Sequence, residues 1–142
     1  MTTFFDTSVL ISAFNQRHIY HRQSLEALIS VDSGQGVCGA HTLAEFYAST
    51  TRMPAAAQRF EPEEALLSIE QIAGKLAVIT LSAEEYLDQI RKLPAKGIPG
   101  GQIYDALLLA CARKAESDRI LTFNLKHFRK LAPDLADRIV TP

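Results

Sequence analysis

An α/β fold with a mainly parallel sheet is predicted by three features of this sequence. Short β-branched and apolar runs alternate with longer segments of helical periodicity along the chain. Residues 76–80 show little alternation between apolar and polar side chains, which is typical of a buried parallel strand. Helix-capping residues separate the two kinds of segment. No internal repeat or linker divides the chain, so residues 1–142 are expected to form a single domain.

The strands and helices follow one another in a regular order. Strands are predicted at residues 2–5, 36–40, 76–80, 119–122 and 138–141. Asp6 caps the helix after the first strand, Glu61-Pro62 begins another helix, and Ser82 with Glu85 forms a capping box for a third. The remaining helices are predicted at residues 24–31, 103–114 and 124–130, with one more that begins at 41 or 42 and ends before Met53.

Composition and charge exclude several classes of protein. Fifteen Lys and Arg residues against 16 Asp and Glu give a net charge of −1, so any nucleic-acid or membrane partner would need a local basic patch. The longest apolar run, residues 106–112, is far shorter than the roughly 20 residues that span a bilayer. Cys38 and Cys111 lie in apolar runs, as buried thiols of a reducing compartment do. The N-terminus lacks the basic start of a secretion signal, so a cytoplasmic protein without membrane contact is expected.

Two polar residues follow predicted strands and are therefore candidates for a site. Asp6 comes directly after the first strand, and Asn124 comes two residues after the fourth. Open parallel sheets bind ligands at the carboxyl ends of their strands. Each residue could equally serve only as the N-cap of the helix that follows, since Asp and Asn often have that role.

Two further carboxylates lie within predicted helices. Asp105 precedes a helix segment that is apolar on nearly every side, and such a helix must be largely enclosed. An unpaired buried carboxylate costs several kcal/mol, so Asp105 is expected to have a partner unless it only caps the first turn. Glu45 lies on a stripe of small and polar residues, and taken alone it is typical of a solvated glutamate.

Together, Asp6, Glu45 and Asp105 suggest a hard divalent cation, because Mg²⁺ takes oxygen ligands and needs only a few carboxylates. Such a cation can activate water and neutralise a phosphodiester. The spacing of the three residues does not by itself bring them together. Two phosphoryl-transfer classes that also use an aspartate after the first strand are excluded, because Ser8 breaks an Asp-x-Asp motif and no adjacent acids precede the first helix.

Four segments, taken in order, resemble a PIN domain and are especially similar to the VapC-type toxins of bacterial toxin–antitoxin pairs. The resemblance covers essentially the whole chain. The segments are Phe5-Asp6-Thr7-Ser8-Val9-Leu10, Leu43-Ala44-Glu45-Phe46-Tyr47, Ile103-Tyr104-Asp105-Ala106-Leu107 and Leu121-Thr122-Phe123-Asn124 with Phe128.

The resemblance implies a three-layer α/β/α sandwich and a Mg²⁺- or Mn²⁺-dependent endoribonuclease that hydrolyses RNA phosphodiester bonds. It places Asp6, Glu45 and Asp105 at acidic metal-ligand positions. Asn124 and Thr122 match a segment that lines the site, where many relatives have a fourth acid, and His127 stands where related sequences often have an acid. Thr7 and Ser8 would line the pocket.

The implied partners are an RNA loop or single strand, a VapB-like antitoxin and a second copy of the chain in a homodimer. The best local basic patches would contact RNA phosphates, although each could equally be solvated surface. The main alternative is a catalytically weak or inert binding module with the same fold, which Asn124 and His127 favour. The candidate RNA-binding residues are Arg17, Arg22, Lys126 and Arg129.

Overall fold

The computed structural model describes residues 1–142 and is built on a five-stranded sheet whose strands are all parallel. The strand order is β3-β2-β1-β4-β5. The chain adds strands on one side of β1 and then on the other, so β1 and β4 flank the point where the order reverses. Ligands bind at the carboxyl ends of the strands at such a point. The strands are β1 (Thr3–Phe5), β2 (Gly36–Gly39), β3 (Ala77–Ile79), β4 (Arg119–Leu121) and β5 (Ile139–Val140).

The helices cover both faces of this sheet, which confirms the three-layer α/β/α prediction. Helices α1 to α4 pack on one face and α6 and α7 on the other, while α5 packs against α6 and buries no residue. None of the helices has the length and apolar character needed to cross a membrane. They are α1 (Thr7–Phe14), α2 (His21–Ser30), α3 (Ala40–Arg52), α4 (Pro62–Lys75), α5 (Ala83–Lys96), α6 (Gln102–Lys114) and α7 (Leu125–Leu131), with 3-10 turns at Ala55–Ala57 and Pro133–Arg138.

The central strand joins the two halves of the core. Phe4 and Phe5 are both fully buried, and because successive side chains of a strand point to opposite faces, they belong to different clusters. Phe4 packs with the residues of α6 and α7, including Leu108, and Phe5 packs with those of α1 to α4, including Phe46. The sheet and its two helical layers therefore hold the loops after β1 and β4 in a fixed relation.

Local signals predicted the starts of α4 and α5 well, whereas α2 begins at His21, three residues before the predicted start at residue 24. Ser82 Oγ accepts a hydrogen bond from the Glu85 backbone N–H at 3.1 Å, and Glu85 Oε1 accepts one from the Ser82 N–H at 2.8 Å. Glu61 and Glu64 form the same kind of box at the start of α4, on either side of Pro62. Residues 106–112 of α6 are all buried, as their composition predicted.

One expectation about burial is wrong. β3 was expected to be a buried strand, but it lies at the edge of the sheet and pairs only with β2. Ala77 is exposed, and Val78 and Ile79 are half-buried. The helical layers contact Val78 and Ile79 from the two faces, which accounts for the apolar composition. An apolar run in the sequence indicates that a strand contacts the helical layers, but it does not indicate how many strands lie beside that strand.

Candidate functional site

Asp6 is buried at the carboxyl end of β1, where it both caps a helix and faces the candidate site. Its Oδ1 accepts the Thr7 backbone N–H at 2.8 Å, as an N-cap does. Its Oδ2 accepts hydrogen bonds from the Ser8 and Thr122 hydroxyls, each at 2.7 Å. Burial raises the pKa of Asp6, and these hydrogen bonds oppose the increase. The N-cap role is therefore observed, and the buried Oδ2 leaves the role of Asp6 in a site as a prediction.

Hydrogen bonds tie the loop after β4 to this carboxylate. Thr122 is fully buried, and its hydroxyl accepts the Asn124 N–H at 2.9 Å while it donates to Asp6. Ser8 Oγ, which donates to Asp6, accepts the Phe123 N–H at 3.2 Å. The ends of β1 and β4 are therefore held together through the carboxyl group of Asp6.

Glu45 projects from α3 toward the same edge of the sheet. Its side chain is 32% exposed, and the Thr7 hydroxyl donates to its Oε1 at 3.2 Å. Thr42, on the same helix, has its hydroxyl 2.9 Å from that of Thr7. Burial raises the pKa of Glu45, and the charge of Asp6 raises it further. Glu45 is therefore not the solvated glutamate that it resembled in isolation.

Asp105 lies in the first turn of α6, with its side chain 19% exposed. Burial raises the pKa of Asp105 to about 6, and the charges of Asp6 and Glu45 add to the increase. His127 opposes it, with Nδ1 at 3.8 Å from Asp105 Oδ2. The contacts of Thr7 with Glu45, of Thr122 with Asp6 and of His127 with Asp105 bring the three segments to the same edge of the sheet.

Positive charge is scarce around these three carboxylates. Their only cationic contacts within 4.0 Å are His41 with Glu45 and His127 with Asp105, each at 3.8 Å, and both histidines are charged only when protonated. No lysine or arginine forms an ion pair with any of the three. Desolvated oxygen anions that repel one another are a donor set suited to a hard dication.

The side chains do not form a preassembled metal cage. No group of three His, Cys, Asp or Glu side chains is arranged so that it could hold a metal ion as it stands. Both carboxylate oxygens of Asp6 accept hydrogen bonds, and the hydroxyl of Thr7 donates one to Glu45. The donor chemistry therefore fits a hard cation, while joint coordination requires Glu45 and Asp105 to turn toward it.

The remaining site residues predicted from sequence lie at or beside this edge. Asn124 is exposed at the N-cap position of α7, where its side chain makes no hydrogen bond, its N–H donates to the Thr122 hydroxyl and its carbonyl accepts the Phe128 N–H. His127 reaches Asp105, as noted above. The structure thus brings Asp6, Glu45 and Asp105 together and leaves the Asn124 amide free.

The four predicted RNA-binding residues are exposed but differ in their partners. Arg22 pairs with Glu26 along α2 at 3.0 Å, and the Arg129 guanidinium donates to the Ile139 carbonyl at 2.8 Å. The Arg17 and Lys126 side chains have no hydrogen-bonding or ionic partner within the chain. The last two are the freer of the four to contact a phosphate.

The sequence did not single out the aromatic rings near the carboxylates. His41 stacks on Tyr104 with ring centroids 4.7 Å apart and planes 12° apart, and Tyr20 stacks on Phe123 at 4.7 Å and 19°. The adjacency of Tyr104 to Asp105 was the only local signal. An open groove of about 450 Å³ runs beside the first pair, and it is lined by His41, Ala44, Glu45, Ala48, Ser49, Arg52 and Tyr104.

Comparison with known proteins concerns the fold as a whole. The family model described as the PIN domain matches residues 3–133. A search of curated proteins gives no match.

Solved structures with a similar fold include VapC20 of Mycobacterium tuberculosis, a toxin that cleaves the sarcin-ricin loop (TM-score 0.70, 17% identity, 87% of this chain and 90% of that chain). DNA-bound VapBC of Salmonella typhimurium has a TM-score of 0.66 at 20% identity, with 99% of this chain and 98% of that chain covered. VapBC2 of Rickettsia felis, bound to a promoter DNA fragment, has a TM-score of 0.62 at 20% identity, with 91% and 92% covered. At these identities the likeness concerns the fold.

Proposed function

This chain belongs to the PIN-domain family, and from that premise we propose that it is a Mg²⁺-dependent endoribonuclease of the VapC toxin type. One observation carries the proposal most strongly. Asp6, Glu45 and Asp105 come from three separate elements, share one edge of the sheet, each have a pKa raised by burial and have no lysine or arginine partner. An arrangement that is electrostatically unfavourable by itself is favourable around a dication.

Each of these residues has a distinct role in the proposed site. Asp6 is a fixed ligand, because Ser8, Thr122 and the Thr7 backbone N–H orient its carboxylate. Glu45, in the middle of α3, and Asp105, in the first turn of α6, are adjustable ligands. Thr7, Ser8 and Thr122 are positioning residues. Asn124 lines the site, and its free amide is available to a water molecule or to RNA.

Bound Mg²⁺, or Mn²⁺ in its place, supplies a Lewis acid that lowers the pKa of water and neutralises the phosphodiester. The chain's own contribution is to hold the cation and to orient the substrate. We assign contacts with flanking phosphates to Arg17 and Lys126, because their side chains are free of ion pairs, whereas Arg22 and Arg129 would first have to leave their present partners. The net charge of −1 restricts such contacts to a limited area.

The proposed biological setting is a toxin–antitoxin pair in the cytoplasm. The Salmonella and Rickettsia neighbours are VapBC complexes, which supports a VapB-like antitoxin as the partner that inhibits this chain. Leu87 and Ile90 on α5 are 44% and 47% exposed, which leaves apolar surface for a second copy in a homodimer. Cys38 and Cys111 are free, in keeping with a reducing compartment.

A second candidate function is a binding module that retains the fold without efficient catalysis. The absence of a preassembled three-residue metal cage favours it, as does Asn124 at the position where many relatives have an acid. Such a module would bind RNA or a protein without cutting RNA.

An RNA cleavage assay separates the two functions. The purified protein should cut RNA in Mg²⁺ and should stop when EDTA is added. Asp6→Asn and Asp105→Asn should abolish cutting, whereas Asp134→Asn should not, because Asp134 lies far from the sheet edge in an exposed pair with Arg113. Cleavage that continues in EDTA would contradict the metal-dependent mechanism. An unchanged rate of cleavage by Asp105→Asn would contradict it as well. RNA binding without any cleavage would favour the binding module.

A further inference from the structure

Two pairs of stacked rings adjoin the carboxylates. Tyr104, the residue before Asp105, stacks on His41, whose Nε2 is 3.8 Å from Glu45 Oε1. Tyr20 stacks on Phe123, whose backbone N–H donates to the same Ser8 hydroxyl that donates to Asp6. One ring pair therefore adjoins the helix-borne carboxylates, and the other adjoins the fixed carboxylate of Asp6.

Both pairs present a tyrosine to solvent. Tyr104 is 47% exposed and Tyr20 is 41% exposed, and neither hydroxyl has a hydrogen-bond partner in the chain. The second pair is held in place, because the Tyr20 N–H donates to His18 Nδ1 at 3.1 Å and the ring of Phe123 packs against the core. The first is held by the helices α3 and α6 that carry it. Rings fixed in this way lose little freedom when a flat ligand stacks on them.

The groove beside the first pair offers one unpaired cation, Arg52, to a nucleic-acid strand. Arg52 lines it, is exposed and forms no ion pair. Arg52 is seven residues beyond Glu45 on α3, so the two lie about 10 Å apart along the helix axis. A bound strand can therefore place one phosphate near the carboxylates, another near Arg52 and a base against Tyr104.

We propose that these ring pairs are nucleobase platforms, and that the bases on either side of the scissile phosphate stack on Tyr104 and Tyr20. This inference rests on the proposed ribonuclease function. Bases in an A-form duplex are stacked on one another and are not available to such rings, whereas those of a loop or single strand can be splayed out. Stacking accepts every base, so the platforms select for unpaired structure and not for sequence.

The first test measures kcat and KM on a fluorescein-labelled single-stranded RNA and on the same RNA annealed to its complement. Tyr104→Ala and Tyr20→Ala should each raise KM on the single strand roughly 5- to 100-fold, with a smaller effect on kcat. Tyr104→Phe and Tyr20→Phe keep the ring and should stay within about twofold. The duplex should be a poor substrate for the unmodified protein.

Tyr47→Ala is the matched control. Tyr47 is 44% exposed and stacks on no other ring, and it lies on the opposite side of α3 from Glu45 because two residues turn a helix by about 200°. Its KM should be unchanged. Thermal denaturation by circular dichroism should give similar Tm values for all the variants that are compared.

A second test changes the RNA and leaves the protein intact, so misfolding cannot explain its result. After the cut position is mapped, an abasic nucleotide is placed on either side of it, and KM should rise by a factor similar to that of the tyrosine variants. The proposal is overturned if neither the abasic RNA nor the alanine variants raise KM, or if the duplex is cut as well as the single strand.

Failure of the platforms can be told apart from failure of the ribonuclease proposal. Fluorescence anisotropy of the labelled RNA, measured in EDTA, reports binding without cleavage. If the protein cuts no RNA in Mg²⁺, the ribonuclease proposal is wrong, yet weaker RNA binding by Tyr104→Ala than by Tyr47→Ala would still support the platforms. Cleavage by the unmodified protein with equal RNA binding by these two variants would overturn the platforms alone.

Discussion

Two groups of acidic residues in this protein have opposite electrostatic settings. Glu85 and Asp134 are at the surface, where Lys114 lies 2.8 Å from Glu85 and Arg113 makes a two-pronged contact of 2.6 and 2.8 Å with Asp134. Hydrogen bonds from these cations lower the pKa of each carboxyl to about 2. At the carboxyl edge of the sheet, burial raises the pKa of Asp6, Glu45 and Asp105 instead.

Under the proposed function, the protein's own cations neutralise the surface acids, whereas a bound cation would neutralise the acids at the sheet edge. The surface acids have protein partners and remain in water, so they need nothing further. The three acids at the sheet edge are withdrawn from water and placed beside one another, which destabilises the protein in the absence of a cation. Proteins retain such unfavourable arrangements mainly where activity requires them.

The largest difference is expected when one carboxylate of each group is replaced and the rates of RNA cleavage by the two variants are compared. Asp105→Asn should lower the rate of RNA cleavage at least about 100-fold, because a ligand and its charge on the cation are lost. Asp134→Asn should leave cleavage within about twofold, since the pair it breaks is exposed. The measurement is kcat/KM on single-stranded RNA in Mg²⁺. Equal losses of kcat/KM in the two variants would contradict the proposed difference between the two groups of acids.

Addition of Mg²⁺ should stabilise the protein through the acids at the sheet edge and not through the surface acids. At a free Mg²⁺ concentration of about 100 times Kd, binding adds about 2.7 kcal/mol to the free energy of unfolding and should raise Tm by several degrees. Asp105→Asn should lose most of this increase, and Asp134→Asn should keep it. Differential scanning calorimetry with and without Mg²⁺ measures the shift. A shift that survives in Asp105→Asn would place the cation elsewhere.

The two groups should respond oppositely to pH in EDTA. The pKa of Asp105 is about 6 in the folded protein, so the folded state binds its proton more tightly than the unfolded state, whose pKa is about 3.9. The free energy of unfolding should therefore fall as pH rises from about 4 to about 6, by at most about 3 kcal/mol, and Asp105→Asn should flatten this fall. Urea denaturation across this range measures it.

Below this range the surface acids dominate. The pKa of both Glu85 and Asp134 is lowered to about 2, so the stability that they contribute is lost as pH falls from about 4 to about 2. Asp134→Asn should weaken that acid dependence while leaving the fall between about pH 4 and pH 6 in place. If the free energy of unfolding of the metal-free protein does not change between about pH 4 and pH 6, the raised pKa of Asp105 is contradicted.

A smaller effect is expected from the hydrogen bonds that orient Asp6. Thr122→Val removes a hydroxyl that serves both Asp6 and the Asn124 N–H, and it should lower the free energy of unfolding by about 1–3 kcal/mol. Thr50→Val is the matched control, because Thr50 is also fully buried but its hydroxyl bonds only to carbonyls of its own helix. Urea denaturation should show the larger loss for Thr122→Val. The reverse order would show that Thr122 does not position Asp6.

The smallest effect is expected at Asn124. Its side chain is exposed and makes no hydrogen bond in the chain, so Asn124→Ala should reduce kcat/KM less than about tenfold and leave Tm unchanged. A loss comparable to that of Asp105→Asn would make Asn124 an essential ligand, and the three carboxylates would then not suffice.

Much of the fold could be predicted because its signals are local. Capping residues such as Ser82 and Glu85 predict where helices begin, and the apolar composition of α6 predicts its burial. The edge position of β3 could not be predicted, since an apolar run does not record how many strands lie beside it.

The site was only partly predictable. Asp6 could be found because it directly follows a strand, and Asp105 because it precedes an enclosed helix. Glu45 has no such local signal, and it gains its setting from the contact between α1 and α3 through Thr7. The stacking of Tyr20 on Phe123 joins residues that are distant in the chain, so no sequence spacing could reveal it.

The central claim is that Asp6, Glu45 and Asp105 bind one divalent cation together. Anomalous diffraction from crystals grown in Mn²⁺ tests it most directly, because the ion is located without reference to activity. The account predicts an anomalous peak at the carboxyl edge of the sheet, about 2.0–2.4 Å from a carboxylate oxygen of each residue or of a water that they share. A fully occupied Mn²⁺ elsewhere, with this edge empty, would contradict it.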